Sequence, residues 1–313
     1  MANIKALKKK IRGTKQTLKI ASALKLVSGS LLAKVNVRVK NSKPYYVELK
    51  KMANKIYPLA DNYTHELFKE DKLNKKTALL IISSDRGLCG NYNSQLNRNV
   101  VDFILKNKDQ ELMIYGIGKK VYDIISKQLK TKIKANNVTT VKKFSFAKME
   151  ANYQEIGLVA GELADLFIKK EIGRLFVAFN FFESALKFTP TVKQLLPFDS
   201  KLLESDGPEK IDEKNLDKNS EKNLENYNTH IFDLSPTEIL DAIIPALYVA
   251  ILYAEQLSAL TAEHSARMWA MENAAKNCKE VIRKVTLKMN KLRQAAITKE
   301  LIEIISGAET LKN

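Results

Sequence analysis

The stretch Ser235-Pro-Thr-Glu-Ile-Leu-Asp-Ala-Ile-Ile-Pro-Ala-Leu247 opens a run, extending to Leu311, in which apolar and small side chains recur at every seventh position. Leu247, Ala254, Thr261, Met268, Ala275, Ile282, Met289 and Ala296 form one column, and Ala250, Leu257, His264, Met271, Cys278, Val285 and Leu292 form a second. Columns offset by three and four residues are the a and d positions of a coiled coil, and a strict period of seven implies a left-handed supercoil. At about 1.5 Å of rise per residue, one helix through this run is on the order of 110 Å long. A domain of this size cannot cover such a rod, so part of it must project into something else. Its start is marked by Ser235 as cap, Pro236 at the first helical position and Glu238 completing a capping box. Pro245 removes one helical hydrogen bond, which predicts a kink near Asp241.

Outward from this run, residues 1–57 carry the same period. Ile4, Ile11, Leu18, Lys25, Leu32, Val39 and Tyr46 form one column; Leu7, Thr14, Ala21, Ser28, Val35, Ser42 and Leu49 form the other. Pro44 predicts a bend or a break near the end of this helix. Two heptad helices at opposite ends of one chain can close on each other as an antiparallel pair; the same pattern also suits a parallel homodimer. Lys25, Ser28, Thr261 and His264 on the seam weaken either version.

Between the two rods, residues 77–198 change character. Short apolar runs at Thr77–Ser83, Glu111–Gly116 and Gly173–Phe182, with weaker ones at Thr139–Phe146 and Phe188–Leu196, read as strands. Helical patterns cover 93–107, 119–130 and 151–170, and the short link before Phe188 predicts a hairpin. Alternating strands and helices give a Rossmann-like, open and mostly parallel α/β sheet. Residues 58–76 connect the first helix to this domain. Residues 199–234 are rich in acids, Lys and Asn and cannot bury a core, so they read as a polar mobile loop before the helix of 235–313.

Composition excludes several functions. The net charge of +17 comes almost wholly from lysine, a point charge rather than a reader of bases, so nucleic-acid binding is not expected. Two distant cysteines, Cys89 and Cys278, give neither a disulfide framework nor a metal spacing. The apolar run Ala242–Ala254 is shorter than the roughly 20 residues of a membrane span, so no direct membrane insertion is expected. The first 47 residues carry no acid, like a mitochondrial presequence, but they favour Lys over Arg and carry heptads, and they read as structural.

The densest short motif, Ser83-Ser-Asp-Arg-Gly-Leu-Cys-Gly-Asn-Tyr-Asn93, stands after a strand and before a helix, where α/β folds place ligands. It lacks both phosphate-loop glycine patterns, and Gly116-Ile-Gly-Lys119 is ordinary turn chemistry. Cys89 would need a His base, and His65, His230 and His264 lie in linking segments or on the seam. No catalytic residue, cofactor or metal is expected. On the last helix, Lys276, Lys279, Arg283, Lys284, Lys288, Lys291 and Arg293, with Glu280 the only acid among them, form either a solvated face or a collar that meets an acidic partner. Beyond it, Ile297, Leu301, Ile304 and Ile305 share one face with Ala308. An apolar tip of this kind needs a partner surface.

Ser84-Asp-Arg-Gly-Leu-Cys-Gly90, Ile11-Arg-Gly-Thr-Lys-Gln-Thr-Leu-Lys-Ile20, Leu195-Leu-Pro197, Ala266-Arg-Met268 and Arg293-Gln-Ala-Ala-Ile-Thr-Lys-Glu-Leu-Ile-Glu-Ile-Ile-Ser-Gly-Ala308 resemble the gamma subunit of F-type ATP synthases over nearly the whole chain. The resemblance implies a non-catalytic central rotor shaft that turns inside a hexamer of α and β subunits. Its α/β foot would rest on a ring of c subunits and contact epsilon, on the cytoplasmic face of a bacterial inner membrane, with proton flow driving rotation. It also implies contacts of Arg293, Gln294, Thr298 and Glu300 with the β catch loops, and of Leu24 and Lys25 with the mobile acidic region of β. Chloroplast relatives carry a cysteine pair in an insertion near residues 199–230; this segment has none, so no thiol switch is expected. Two other readings stand beside this one: an α/β enzyme with a coiled-coil dimerisation handle, and a basic scaffold for nucleic acid.

Overall fold

The computed structural model describes residues 2–60, 63–71, 73–121, 138–144, 150, 152–199 and 234–310. Most of the helix expected over 119–130, the end of the third strand toward Phe146 and nearly all of the polar loop over 199–234 lie outside the described residues.

Two long helices, α1 (Ala2–Ile56) and the C-terminal helix (Pro236–Thr310), flank the α/β foot. The capping box forms: Glu238 N–H donates to Ser235 Oγ at 3.3 Å, and Ser235 N–H donates to Glu238 Oε2 at 2.9 Å. Both helices run on through Pro44 and Pro245, so of the two outcomes expected at Pro44 the break does not occur. Around Pro245, Ile243, Ile244, Leu247 and Tyr248 are buried in the foot, and this packing offsets the missing hydrogen bond.

The helices pair with each other in antiparallel sense, which settles the choice left open by the heptads. Lys25 pairs with Glu272, and a side chain at Gly29 would touch Met268 Sδ at 3.7 Å, so the numbers of facing residues sum to about 297. Near the foot the seam is tight, with Ala21, Ser28, Val35, Leu257, Thr261, His264 and Met271 buried. The polar seam residues are accommodated locally: Thr261 donates to the Leu257 carbonyl at 2.8 Å. Toward the tip Cys278, Ile282, Val285, Met289 and Leu292 are half-buried.

The foot holds β1 (Lys76–Ile82), α2 (Tyr92–Lys106), β2 (Glu111–Ile117), β3 (Val138–Lys143), α3 (Tyr153–Ile168), β4 (Arg174–Ser184) and β5 (Lys187–Leu196); the C-terminal helix is then α4. The strands form one sheet in the order β3-β2-β1-β4-β5, parallel except for the β4–β5 hairpin. Central β1 is buried on both faces. Ala78, Leu80 and Ile82 join the core shared with α3 and α4, while Leu79 and Ile81 pack on Leu96, Val100 and Ile104 of α2. Both long helices contain a window apolar enough by composition to cross a bilayer. In α4 the apolar residues from Leu240 to Leu260 are instead core of the foot.

Candidate functional site

The loop after β1 does not face an open crevice; it faces α4. Gly118 (φ +90°), in the turn after β2, lets that turn lie directly against Ser83. Lys120 N–H donates to the Ser84 carbonyl at 3.0 Å, and Lys119 N–H donates to Asp85 Oδ1 at 3.0 Å. Inside the loop Asn93 Nδ2 donates to Ser84 Oγ (2.7 Å) and approaches Cys89 Sγ (3.2 Å). Cys89 and Tyr92 then pack on Ala262 of α4.

Arg267 of α4 closes this joint. Its Nε donates to the Gly87 carbonyl and its Nη2 to the Arg86 carbonyl, each at 3.2 Å, and it forms an ion pair with Glu263 one turn back. Burial pushes the Glu263 carboxyl up to about 7, although Arg267 acts in the opposite sense. Burial, then Arg267 and Arg86, push His264 down to about 4, so its ring is neutral near pH 7. On the other side of α4, Ser265 Oγ donates to the Ala185 carbonyl (2.5 Å), and Phe182 N–H donates to Ser258 Oγ (3.0 Å). Tyr92 O–H reaches the Ala259 carbonyl at 3.1 Å, and Asn180 Nδ2 holds the Tyr92 carbonyl at 3.1 Å. Rings of Tyr45, Tyr153 and Tyr253, with centroids 6.0 and 5.4 Å apart, tie α1, α3 and α4 together. The segment Ser258–Arg267 is thus pinned to the foot from two sides.

This is holding chemistry rather than reaction chemistry. Cys89 is buried and its thiol is pushed up by that burial, the opposite of an activated nucleophile. Among the described residues, no group of three His, Cys, Asp or Glu side chains could hold a metal. In the sequence this joint shows only as the i, i+4 spacing of Glu263 and Arg267, a pattern equally common on exposed helix faces.

The contact residues implied by resemblance fall into two groups. Leu24 is half-buried, and Lys25 is engaged by Glu272 across the seam. Arg293, Gln294, Thr298 and Glu300 are exposed on α4, with Ile297, Leu301, Ile304 and Ile305 exposed by 49–68% among them. Since facing numbers sum to about 297, α1 ends opposite the region of Arg293 and the apolar tip stands beyond it, uncovered. The two groups are roughly 30 Å apart along the shaft, at about 1.5 Å per residue between Glu272 and Arg293. The Lys25–Glu272 pair is partly exposed and contributes modestly. A double-mutant cycle of Lys25→Ala and Glu272→Ala, read by urea unfolding, is expected to give near-additive changes, because the pair is solvent-screened. A larger coupling would mean that the pair is effectively desolvated.

A two-helix shaft rooted in an α/β foot, bearing an uncovered apolar tip, defines a stalk-type structural protein. A family model described as ATP synthase matches residues 3–311. The ATP synthase gamma chain of Geotalea daltonii is 32% identical over 314 residues, and that of Geotalea uraniireducens 33% over 317, each alignment covering 100% of both chains. The chain belongs to the ATP synthase gamma chain family. Its fold matches a chain in the Euglena gracilis mitochondrial ATP synthase (OSCP/F1/c-ring, rotational state 3) with TM-score 0.61 and 18% identity, covering 99% of this chain and 95% of that one. A chain in the rotor of the same synthase, rotational state 1, matches with TM-score 0.58 and 17% identity, covering 95% and 99%.

Proposed function

We propose that this chain is the central rotor shaft of a proton-driven F-type ATP synthase, peripheral on the cytoplasmic face of a bacterial inner membrane. The foot sits on the c-subunit ring beside epsilon, and the shaft turns inside the hexamer of α and β subunits. The observation that carries this reading is the tip: α4 continues past the end of α1 with Ile297, Leu301, Ile304 and Ile305 exposed, a surface that aggregates unless a sleeve receives it. A two-helix shaft has no threefold symmetry. Each orientation therefore interacts with three chemically identical β sites at different free energy, and rotation drives them through different states. Nucleotide chemistry stays with β.

In this reading Arg293 and Gln294, both exposed on α4, touch the β catch loops. Changing both to Ala is expected to lower ATP turnover of the assembled complex about tenfold, the equivalent of about 1.4 kcal/mol. The unfolding midpoint of the free chain should hold, because both side chains are exposed. Unchanged turnover would remove them from the contact. Co-expression with α and β tests the reading as a whole: a complex with one copy per three αβ pairs supports it, and a stable homodimer that ignores α and β overturns it.

A further inference from the structure

The ion pair that joins foot and shaft is buried where well-packed apolar side chains would avoid its desolvation cost. The Glu263 and Arg267 side chains are 5% and 9% exposed. Arg267 is the one cation touching Glu263 among the described residues, and it is shared. It also donates to the Gly87 and Arg86 carbonyls, and its Nη1 lies 3.4 Å from His264 Nδ1. The charged and titratable groups around Glu263 come from every element packed here. α4 supplies Arg267 and His264, the loop after β1 supplies Asp85, Arg86 and Cys89, and α2 opens with Tyr92. Glu150, ahead of α3, adds another acid, and α1 brings the exposed Lys34 to this level. Burial holds the Glu263 carboxyl up at about 7; Arg267 opposes this, and Asp85 and Glu150 reinforce it.

The loop that Arg267 grips is itself strained. Leu88 stands at φ +62°, in the left-handed region, with its side chain exposed. On the opposite side of α4 the grip is made by Ser258 and Ser265, hydroxyls that do not titrate near neutrality. We propose that Glu263, Arg267 and the loop Arg86–Cys89 form a proton-operated latch between foot and shaft, shut when Glu263 is protonated and released when it is ionised. In the shut joint an ionised Glu263 lacks water and feels Asp85. When the loop lifts, water reaches the carboxylate and its proton affinity falls toward the ordinary range. Opening therefore releases a proton, and rising pH favours it. The serine side keeps α4 docked while the loop is free, so only one of the two grips responds to protons.

The test uses the full chain with Cys278→Ser, which leaves Cys89 as the single thiol. Cys89 is buried in the joint against Ala262, so iodoacetamide reaches it only when the loop lifts. Labelling rates at each pH are divided by those of the same chain unfolded in urea, which removes the titration of the thiol itself. Opening relative to the same chain carrying Glu263→Gln is expected to rise about tenfold from pH 6 to pH 8. His264 is present in both chains and cancels. Asp85→Asn removes a like charge but keeps the oxygen that accepts from Lys119 N–H. It should lower opening at pH 8 and leave it nearly unchanged at pH 6, and it carries the test alone if Glu263→Gln does not fold. A ratio that stays level across this range, or opening at pH 8 undiminished by Asp85→Asn, would overturn the latch. So would labelling that follows low urea as steeply as global unfolding does. The assay needs neither α nor β, so the latch stands or fails apart from the rotor reading, which co-assembly decides.

Discussion

Replacing Arg267 by Ala is expected to cost about 3–5 kcal/mol of unfolding free energy, the range for breaking a buried pair from one side. The change leaves the Glu263 carboxylate, whose side chain is 5% exposed, without its cation, and strips donors from the Arg86 and Gly87 carbonyls. The pH dependence separates this cause from simple loss of packing. Glu263 already binds its proton more tightly folded than unfolded, and without Arg267 it binds it more tightly still. A raised folded-state pKa on an acid adds stability as pH falls toward the unfolded value of about 4.3. His264 acts in the same sense. Its folded-state pKa is depressed largely by burial and partly by Arg267, so wild type loses stability on acidification below the ordinary histidine range, and the variant loses less. The deficit of the variant should therefore shrink between about pH 8 and pH 5, measured as the shift in urea midpoint. A deficit below about 1 kcal/mol, or one that does not change with pH, would mean the joint is held mainly by its apolar contacts.

Gly118→Ala is expected to be comparably severe, at more than about 3 kcal/mol. The added Cβ would lie 2.0 Å from the Ser83 carbonyl oxygen, a backbone atom that cannot move without opening the β1–β2 edge, and φ at +90° is strained for any L side chain. Gly161→Ala is the internal control: it lies in the interior of α3 with nothing within 4 Å of the new Cβ. That change should stabilise by about 0.5–1 kcal/mol through lost unfolded-state entropy. Thermal or urea unfolding of the two variants side by side decides the matter. A Gly118→Ala chain that melts with wild type would show that the turn after β2 repacks cheaply.

Much of this architecture was legible in the linear sequence because its signals are periodic and local. The heptads of both ends identified two long helices, and the capping box at Ser235 and Glu238 marked where the second begins. The continuous apolar run ending at Ile82 identified a strand buried on both faces. Pro44 and Pro245 both stay inside their helices, and at Pro245 the one lost hydrogen bond is outweighed by the core around Ile244 and Tyr248. The contact set at the tip came from resemblance, since an exposed Arg293 or Thr298 leaves no periodic trace.

Hydrophobic period is a property of each segment alone, and so the two rods and the α/β foot can be read from the chain before it folds. The antiparallel pairing of the rods within one chain, with Lys25 against Glu272, is set by docking. Docking also makes Ser83–Asn93 the holder of a helix, through Arg267. Those outcomes depend on groups 180 residues apart (Arg267 and Gly87) or farther (Lys25 and Glu272) meeting across the fold. Such meetings are fixed by how the segments dock, which no local pattern encodes.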